Sequence, residues 1–366
     1  MFDPDKQNLC PPLPFECPSC LYYGNGRCRG PVNMKTYTMR DQALVTCVNL
    51  ERKQQRLDDL YSRMPPIPKE SHQDKIVLPS FIAGITNALK ELSYFPKRML
   101  FAVSLATLLG EKGTILPDCA DALRHKLRLP ADARLALIGT AKDYKIERLW
   151  TSSEKTNVWR RIADFGFEFV TSLTYSVFDE QPRTDQIYNQ DRNFVTHDYF
   201  ANLGVPSIPF FYPYNDEDYR EAFAWLRERP DIKKIAVLAQ FYRTEKQFAQ
   251  LLRNMRILQE GARRPIEFLV VGVGTYSKIA SVLSEFAATI VSAKPFHKAI
   301  SGFRTLSDLS HPEQDELRHS FSYAELAVHN VEQYFGCCEN LREQYQIQSA
   351  DVQTTLNESV IMMSTR

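Results

Sequence analysis

Four cysteines near the start of the chain have a spacing that suits a metal site: Cys17, Cys20, Cys28 and Cys47. Cys17 and Cys20 are separated by two residues, and such a turn can direct two thiolates at one metal centre. The four thiolates predict a tetrahedral zinc site, although an iron–sulfur cluster fits the same ligands. Cys10 is a fifth thiol that can replace one of them. The alternative is that all are small buried thiols in a loop.

A carboxylate and two cations are the candidates for catalysis. Lys142 and Asp143 follow a short apolar run, and Asp143 is the best candidate for acid–base or nucleophilic chemistry. Arg192 is assigned to the same catalytic set. The alternative for Asp143 is a surface salt bridge or the N-cap of a helix, because short acidic side chains favour that position.

Small residues after a later apolar run indicate a phosphate site. Gly272, Gly274 and Thr275 join this run to a helix start, where free backbone amides can hold a phosphate. Lys294, after the next run, adds a positive charge. Asn189, in a polar segment earlier in the chain, completes the predicted substrate-binding set. The alternative is that the glycines only permit a tight turn.

Eight short apolar runs are the predicted strands that position these groups. They cover residues 76–85, 100–108, 134–140, 168–177, 205–211, 234–240, 266–272 and 288–293. Most are continuous rather than alternating in hydrophobicity, which is typical of parallel strands buried on both faces.

Helical patterns lie between the predicted strands. They cover residues 118–127, 154–165, 192–203, 216–229, 244–260 and 276–286. Gly204 and Gly261 are predicted helix ends. The pattern at 244–260 carries an apolar stripe with helical spacing, which predicts a face buried in the core.

Eight strands that alternate with helices predict a (β/α)8-type barrel, with an open doubly wound parallel sheet as the alternative. Three parts are expected: a cysteine-rich metal-binding segment and linker at 1–68, the barrel at 69–304, and a C-terminal helical extension with a frayed tail at 305–366. In such a barrel the active site lies at the C-terminal ends of the strands. The candidate residues after the predicted strands therefore belong to one face.

The charges are nearly balanced, with 45 Lys and Arg against 44 Asp and Glu, so no whole-protein field attracts nucleic acid or anionic lipid. The start of the chain does not resemble a signal peptide, and no apolar run approaches the roughly 20 residues needed to span a bilayer. We therefore expect a cytoplasmic protein without a membrane partner.

A polar motif and the strand after it carry a family resemblance. The residues concerned are Ser176, Pro182, Gln186, Ile187, Asn189, Arg192, Asn193, Gly204, Val205, Ile208 and Pro209. Over about residues 165–300 the chain resembles an uncharacterised domain-of-unknown-function family of phages and bacterial mobile elements. The resemblance implies no activity, and the acidic residue that the family has before the serine is replaced here by Thr or Tyr.

Three functions are compatible with these patterns. The first is a barrel enzyme that acts on a phosphate-bearing nucleotide, a nucleic-acid base or a related small molecule, with a structural metal. The second is a non-catalytic adaptor of a phage or mobile element, in which the cysteine segment and its basic and aromatic residues bind nucleic acid or protein. The third is a purely structural cysteine segment. The sequence decides neither the question of enzymatic activity nor the oligomeric state.

Overall fold

Eight parallel strands form the centre of the molecule. The structure is a computed structural model, and it describes residues 50–85, 99–177, 183–213, 216–310 and 321–364. The strands are β1 Phe81–Ile85, β2 Leu100–Ser104, β3 Arg134–Ile138, β4 Val170–Thr171, β5 Ser207–Ile208, β6 Lys234–Leu238, β7 Glu267–Val271 and β8 Ala288–Ser292. Their order in the sheet is β5-β4-β3-β2-β1-β8-β7-β6, so each strand lies beside its neighbours in the chain, and the first strand, β1, also pairs with the last, β8.

The two edges of this sheet meet. Phe210, just after β5, forms a parallel bridge with Ala236 of β6. The amide of Phe211 donates to the carbonyl of Ala236, and the amide of Ala236 donates to the carbonyl of Pro209, both at 2.8 Å. All eight predicted strands are therefore confirmed, and the fold is a (β/α)8-like barrel rather than an open sheet.

Helices cover the outside of the barrel. Their bounds are α1 Leu50–Ser62, α2 Leu105–Leu108, α3 Ala120–Leu127, α4 Asp143–Thr156, α5 Val158–Ala163, α6 Arg183–Asn202, α7 Asp216–Glu228, α8 Glu245–Ala262, α9 Tyr276–Leu283, α10 Lys294–Ile300 and α11 Tyr323–Ser364. Within the described ranges, no helix is both long and apolar enough to cross a membrane.

The core has two layers because the strands are buried on both faces. One layer is inside the barrel and includes Ile82, Ala136, Phe169 and Leu269. The other joins the outer strand faces to the helices. This double burial explains why the strands have continuous apolar sequences.

β4 and β5 are shorter than predicted, and side chains of α6 and of Ser172 pair with the backbone groups that follow them. Asn193 donates from Nδ2 to the carbonyl of Phe210 at 2.6 Å, and the amide of Phe210 donates to Ser172 Oγ at 2.8 Å. The amide of Leu173 donates to Thr196 Oγ1 at 3.1 Å. The residues after both strands thus leave the regular ladder without leaving their backbone groups unpaired.

Gln73 joins β5 to β6 at the N-terminal ends of these strands. Its buried Nε2 donates to the carbonyls of Ser207 at 2.8 Å and Lys234 at 3.0 Å. Its Oε1 accepts from the amides of Lys233 at 2.8 Å and Lys234 at 2.6 Å. One amide side chain therefore replaces part of the missing ladder between these strands.

Several predicted element boundaries were wrong. The segment 105–108 is a helix, because Ser104 caps it by accepting from the amide of Ala106. The predicted helix 154–165 is two helices, α4 and α5, separated at Asn157, which has a left-handed φ of 49°. Gly261 lies inside α8, and the chain leaves that helix at Arg263 with φ 54°. The predicted C-terminal helical extension contains α11, which begins at Tyr323 and extends through Ser364.

Candidate functional site

A cavity of about 880 Å³ opens at the C-terminal ends of β3 to β6. Its lining comes from residues 140–144, 174–177, 211–213, Val237, Leu238, 240–242 and four residues of α8, which are Leu251, Asn254, Met255 and Leu258. This is the face at which barrel enzymes place their active sites. The cavity lies where the sheet is held by its shortest strands.

Asp143 and Lys142 both line this cavity. Asp143 is the first residue of α4, where the partial positive charge of the helix terminus stabilises a carboxylate. The hydroxyl of Ser176, which follows β4, donates to Asp143 Oδ1 at 2.7 Å. Lys142 is the N-cap residue and makes no capping bond with its side chain. The exposed carboxylate and the exposed ammonium group are therefore both accessible from the cavity mouth.

Asn189 and Arg192 stand behind this mouth on α6. Asn189 donates from Nδ2 to the carbonyl of Ser176 at 2.6 Å. Arg192 donates from Nη2 to Asn189 Oδ1 at 2.6 Å, and its two terminal nitrogens donate to Glu147 of α4 at 2.9 and 2.6 Å. A continuous set of hydrogen bonds thus connects α4, α6 and the loop that follows β4. It brings together the sequence-predicted residues Asp143, Asn189 and Arg192.

Arg192 is held inside a group of aromatic rings. Its guanidinium carbon lies 3.8 Å from the ring centre of Tyr175 and 4.5 Å from that of Tyr188. Burial acts to lower the pKa of Arg192, but the hydrogen bonds to Glu147 and the facing tyrosines outweigh it and raise the pKa. Arg192 is outside the cavity lining and only 1% exposed. Its contacts with Asn189 and Glu147 therefore place it as a support of the Ser176 loop.

The predicted phosphate residues follow β7 and β8, at the same end of the barrel but outside the cavity lining. Gly272 has φ 99°, and a Cβ there would lie 2.7 Å from Cβ of Gln240. A Cβ on Gly274 would overlap the side chain of Lys294. Backbone conformation and packing thus account for both glycines. Thr275 and Lys294 are exposed at the starts of α9 and α10, and phosphate binding stays a prediction.

The predicted metal ligands Cys17, Cys20, Cys28 and Cys47 lie outside the described residues, and so do the basic and aromatic residues around them. Among the residues that are described, no group of three or more His, Cys, Asp or Glu side chains could hold a metal ion. Zinc or an iron–sulfur cluster therefore stays a prediction from the spacing of the cysteines.

Sequence reasoning missed two parts of the site. The first is the aromatic character of the lining, formed by Tyr144, Tyr175, Phe211, Tyr212, Phe241 and Tyr242; Tyr175, Tyr212 and Tyr242 lie at the ends of predicted strands, but no aromatic surface was predicted. The second is the contribution of α8, because its apolar face was predicted only to be buried in the core. The sequence does indicate this face: Asn254 lies three residues after Leu251 and four before Leu258, so a polar residue shares the apolar face of the helix.

Neither a protein-family model nor a curated protein matches this chain. The resemblance to a phage and mobile-element family therefore stays a prediction.

Proposed function

We propose that the barrel is an enzyme that acts on a small molecule with a planar nucleobase-like ring, such as a nucleotide or a free base. The observation that carries this proposal is the cavity itself, which combines six aromatic side chains with a carboxylate and an ammonium group at its mouth. Aromatic faces favour planar rings through stacking. The volume of about 880 Å³ falls within the range of sites for small molecules and cofactors.

Asp143 is the proposed acid–base group. Its carboxylate lines the cavity, and the Ser176 hydroxyl fixes the position of Oδ1 at 2.7 Å. The remaining carboxylate lone pairs are available to take a proton from a substrate nitrogen or from a water molecule, and to return it. Lys142, beside it, supplies a positive charge for an anionic group of the substrate.

Asn189 and Arg192 are positioning residues in this proposal. Neither touches the cavity, but together they hold the carbonyl of Ser176 and so the loop that carries its hydroxyl. Arg192 in turn is anchored on α4 through Glu147, four residues after Asp143. The carboxylate and its hydrogen-bond donor are thereby held in one geometry, as acid–base catalysis requires.

A phosphate group of the substrate would extend from the cavity toward β7. Gly272 packs against Gln240, and Gln240 lines the cavity, so the two regions are adjacent. The backbone amides at the start of α9 and the ammonium group of Lys294 are the proposed phosphate contacts. The glycine pattern after β7 and the adjacency of this region to the cavity support this placement of the phosphate.

An activity screen with Asp143→Asn tests the proposal. The purified full chain is incubated with nucleobases, nucleosides and nucleotides, and products are detected by mass spectrometry. Asp143→Asn should lower turnover by about a hundredfold or more, because a positioned acid–base group contributes that much. Glu245→Gln is the matched control, since Glu245 is also an exposed carboxylate at the first residue of a helix but lies outside the cavity. Equal turnover of Asp143→Asn and the wild type would overturn the assignment.

A further inference from the structure

The face of α8 that lines the cavity has one polar side chain among apolar ones. Leu251, Met255 and Leu258 are buried, and Asn254 is half-buried between them. All four line the cavity because residues three and four apart share one face of a helix. The part of the cavity against α8 is therefore an apolar pocket that contains one amide.

A hydrogen bond holds this amide in place. Gln250 donates from Nε2 to Asn254 Oδ1 at 2.7 Å. Burial raises the pKa of Tyr242, and the neighbouring Asn254 side chain partly offsets this effect. The bond from Gln250, four residues earlier on α8, orients the amide, and Tyr242 lines the same cavity.

The amide has further capacity for hydrogen bonds. An asparagine side chain has two N–H donors and an oxygen with two lone pairs. The contact with Gln250 uses one lone pair. Within the described part of the chain, an N–H donor and a lone pair of this amide are thus available to a ligand.

We propose that Asn254 is the specificity-determining residue of the site and recognises the edge of the substrate ring. This inference rests on the proposed function, since it names the residue that selects among planar rings. The ring it fits has a hydrogen-bond acceptor and a donor side by side on one edge, as amino-substituted nucleobases have. Leu251 and Met255 exclude water from this contact, so a ring without that edge leaves the amide unpaired and binds less tightly.

Binding measurements with two variants of Asn254 test the inference. Asn254→Leu has similar size without the amide, and Asn254→Ala is smaller and cannot overfill the pocket. Arg253→Leu is the matched control, because Arg253 is exposed on the other face of the same helix. The probes are the four common ribonucleoside monophosphates and ribose 5-phosphate, titrated into the full chain by calorimetry, with melting curves to check that each variant is folded.

The wild type and Arg253→Leu are expected to bind one nucleoside monophosphate more tightly than the others. Both Asn254 variants should lose about tenfold or more in affinity for that nucleotide and bind ribose 5-phosphate like the wild type. If a folded Asn254→Leu or Asn254→Ala keeps the nucleotide affinity and preference of the wild type, the inference fails while the proposed function stands. If the wild type binds none of the nucleotides, the proposed function fails as well.

Discussion

The hydroxyl of Ser176 donates to Oδ1 of Asp143 at 2.7 Å, although 33 positions separate the two residues in the chain. The contact joins the ends of β3 and β4, two neighbouring strands. It fixes the carboxylate at the cavity mouth through a loop that Asn189 holds from behind. The position of the proposed catalytic group therefore depends on two neighbouring strand ends and one helix.

Ser176→Ala is expected to lower turnover by about tenfold, equivalent to about 1.4 kcal/mol of transition-state stabilisation. The reason is that the variant removes the donor that orients the Asp143 carboxylate. Ser176→Thr retains the hydroxyl and should restore most of the activity. Steady-state kinetics on the three proteins would measure the effect, and an unaffected Ser176→Ala would show that this contact has no role in the reaction.

Arg192→Lys is expected to lower the free energy of unfolding by about 2–3 kcal/mol, because an ammonium group cannot replace the paired bonds to Glu147 in a buried position. Arg134→Lys is the matched control. Arg134 makes the same two-pronged contact with Glu168, but the side chains are 42% and 40% exposed. The control should therefore lose less than about 1 kcal/mol. Urea denaturation measures both, and equal losses would contradict a special role for the buried Arg192 guanidinium.

Gly272→Ala is expected to destabilise the barrel more than Gly204→Ala does. Both glycines have positive φ, 99° and 79°, so alanine strains the backbone at each by about 1–2 kcal/mol. Only at Gly272 does the new Cβ also meet Gln240, whereas nothing lies within 4 Å of a Cβ at Gly204. Thermal denaturation would rank the two variants, and a larger loss at Gly204 would reverse the expectation.

His197 should make the protein less stable as the pH falls from 6.5 toward 3. Burial, aided by the nearby Arg229, lowers the pKa of His197 from 6.5 to about 3. The unfolded chain therefore binds a proton in this window that the folded chain does not, and stability falls by about 1.4 kcal/mol per pH unit. Burial raises the pKa of Asp198 above its ordinary value of 3.8. Between the ordinary and the raised pKa the folded chain holds a proton that the unfolded chain has lost, so Asp198 adds stability as the pH falls through this range.

A variant without the imidazole separates the two contributions. His197 is fully buried, and its Nδ1 lies 2.9 Å from Ser207 Oγ. His197→Gln is neutral at every pH, so its unfolding free energy should change less between pH 6.5 and 4 than that of the wild type. The unfolding free energies would be measured by urea denaturation at several pH values. If they change with pH equally in the two proteins, His197 is excluded as the source of the pH dependence.

The cysteine spacing predicts one metal centre per chain. Metal analysis and visible absorption of protein purified without oxygen would identify it, because zinc gives no colour and an iron–sulfur cluster absorbs visible light. The double variant Cys17→Ser, Cys20→Ser should lose the metal. Cys119→Ser, which changes an exposed free cysteine of the barrel, is the control and should keep it. A wild-type chain without bound metal would refute the prediction.

The barrel itself was predictable because its signal is local. A parallel strand with two buried faces has a continuous apolar sequence, and each of the eight runs has one. Asp143 was predictable for a related reason, since the residues after such strands lie at one face of the barrel. α4 was not predicted as a separate helix, and its break at Asn157 depends on a left-handed residue that composition does not reveal.

The sequence by itself determined the strand count, the fold class and the end of the barrel at which polar residues collect, because hydrophobic burial leaves a repeating local pattern. Only the tertiary structure decided which of those residues meet. Gln73 joins β5 to β6, Arg192 faces α4 instead of the cavity, and Asn254 faces the cavity instead of solvent. These placements depend on strand register and on the rotation of each helix against the barrel. Both are set by packing between segments far apart in the chain.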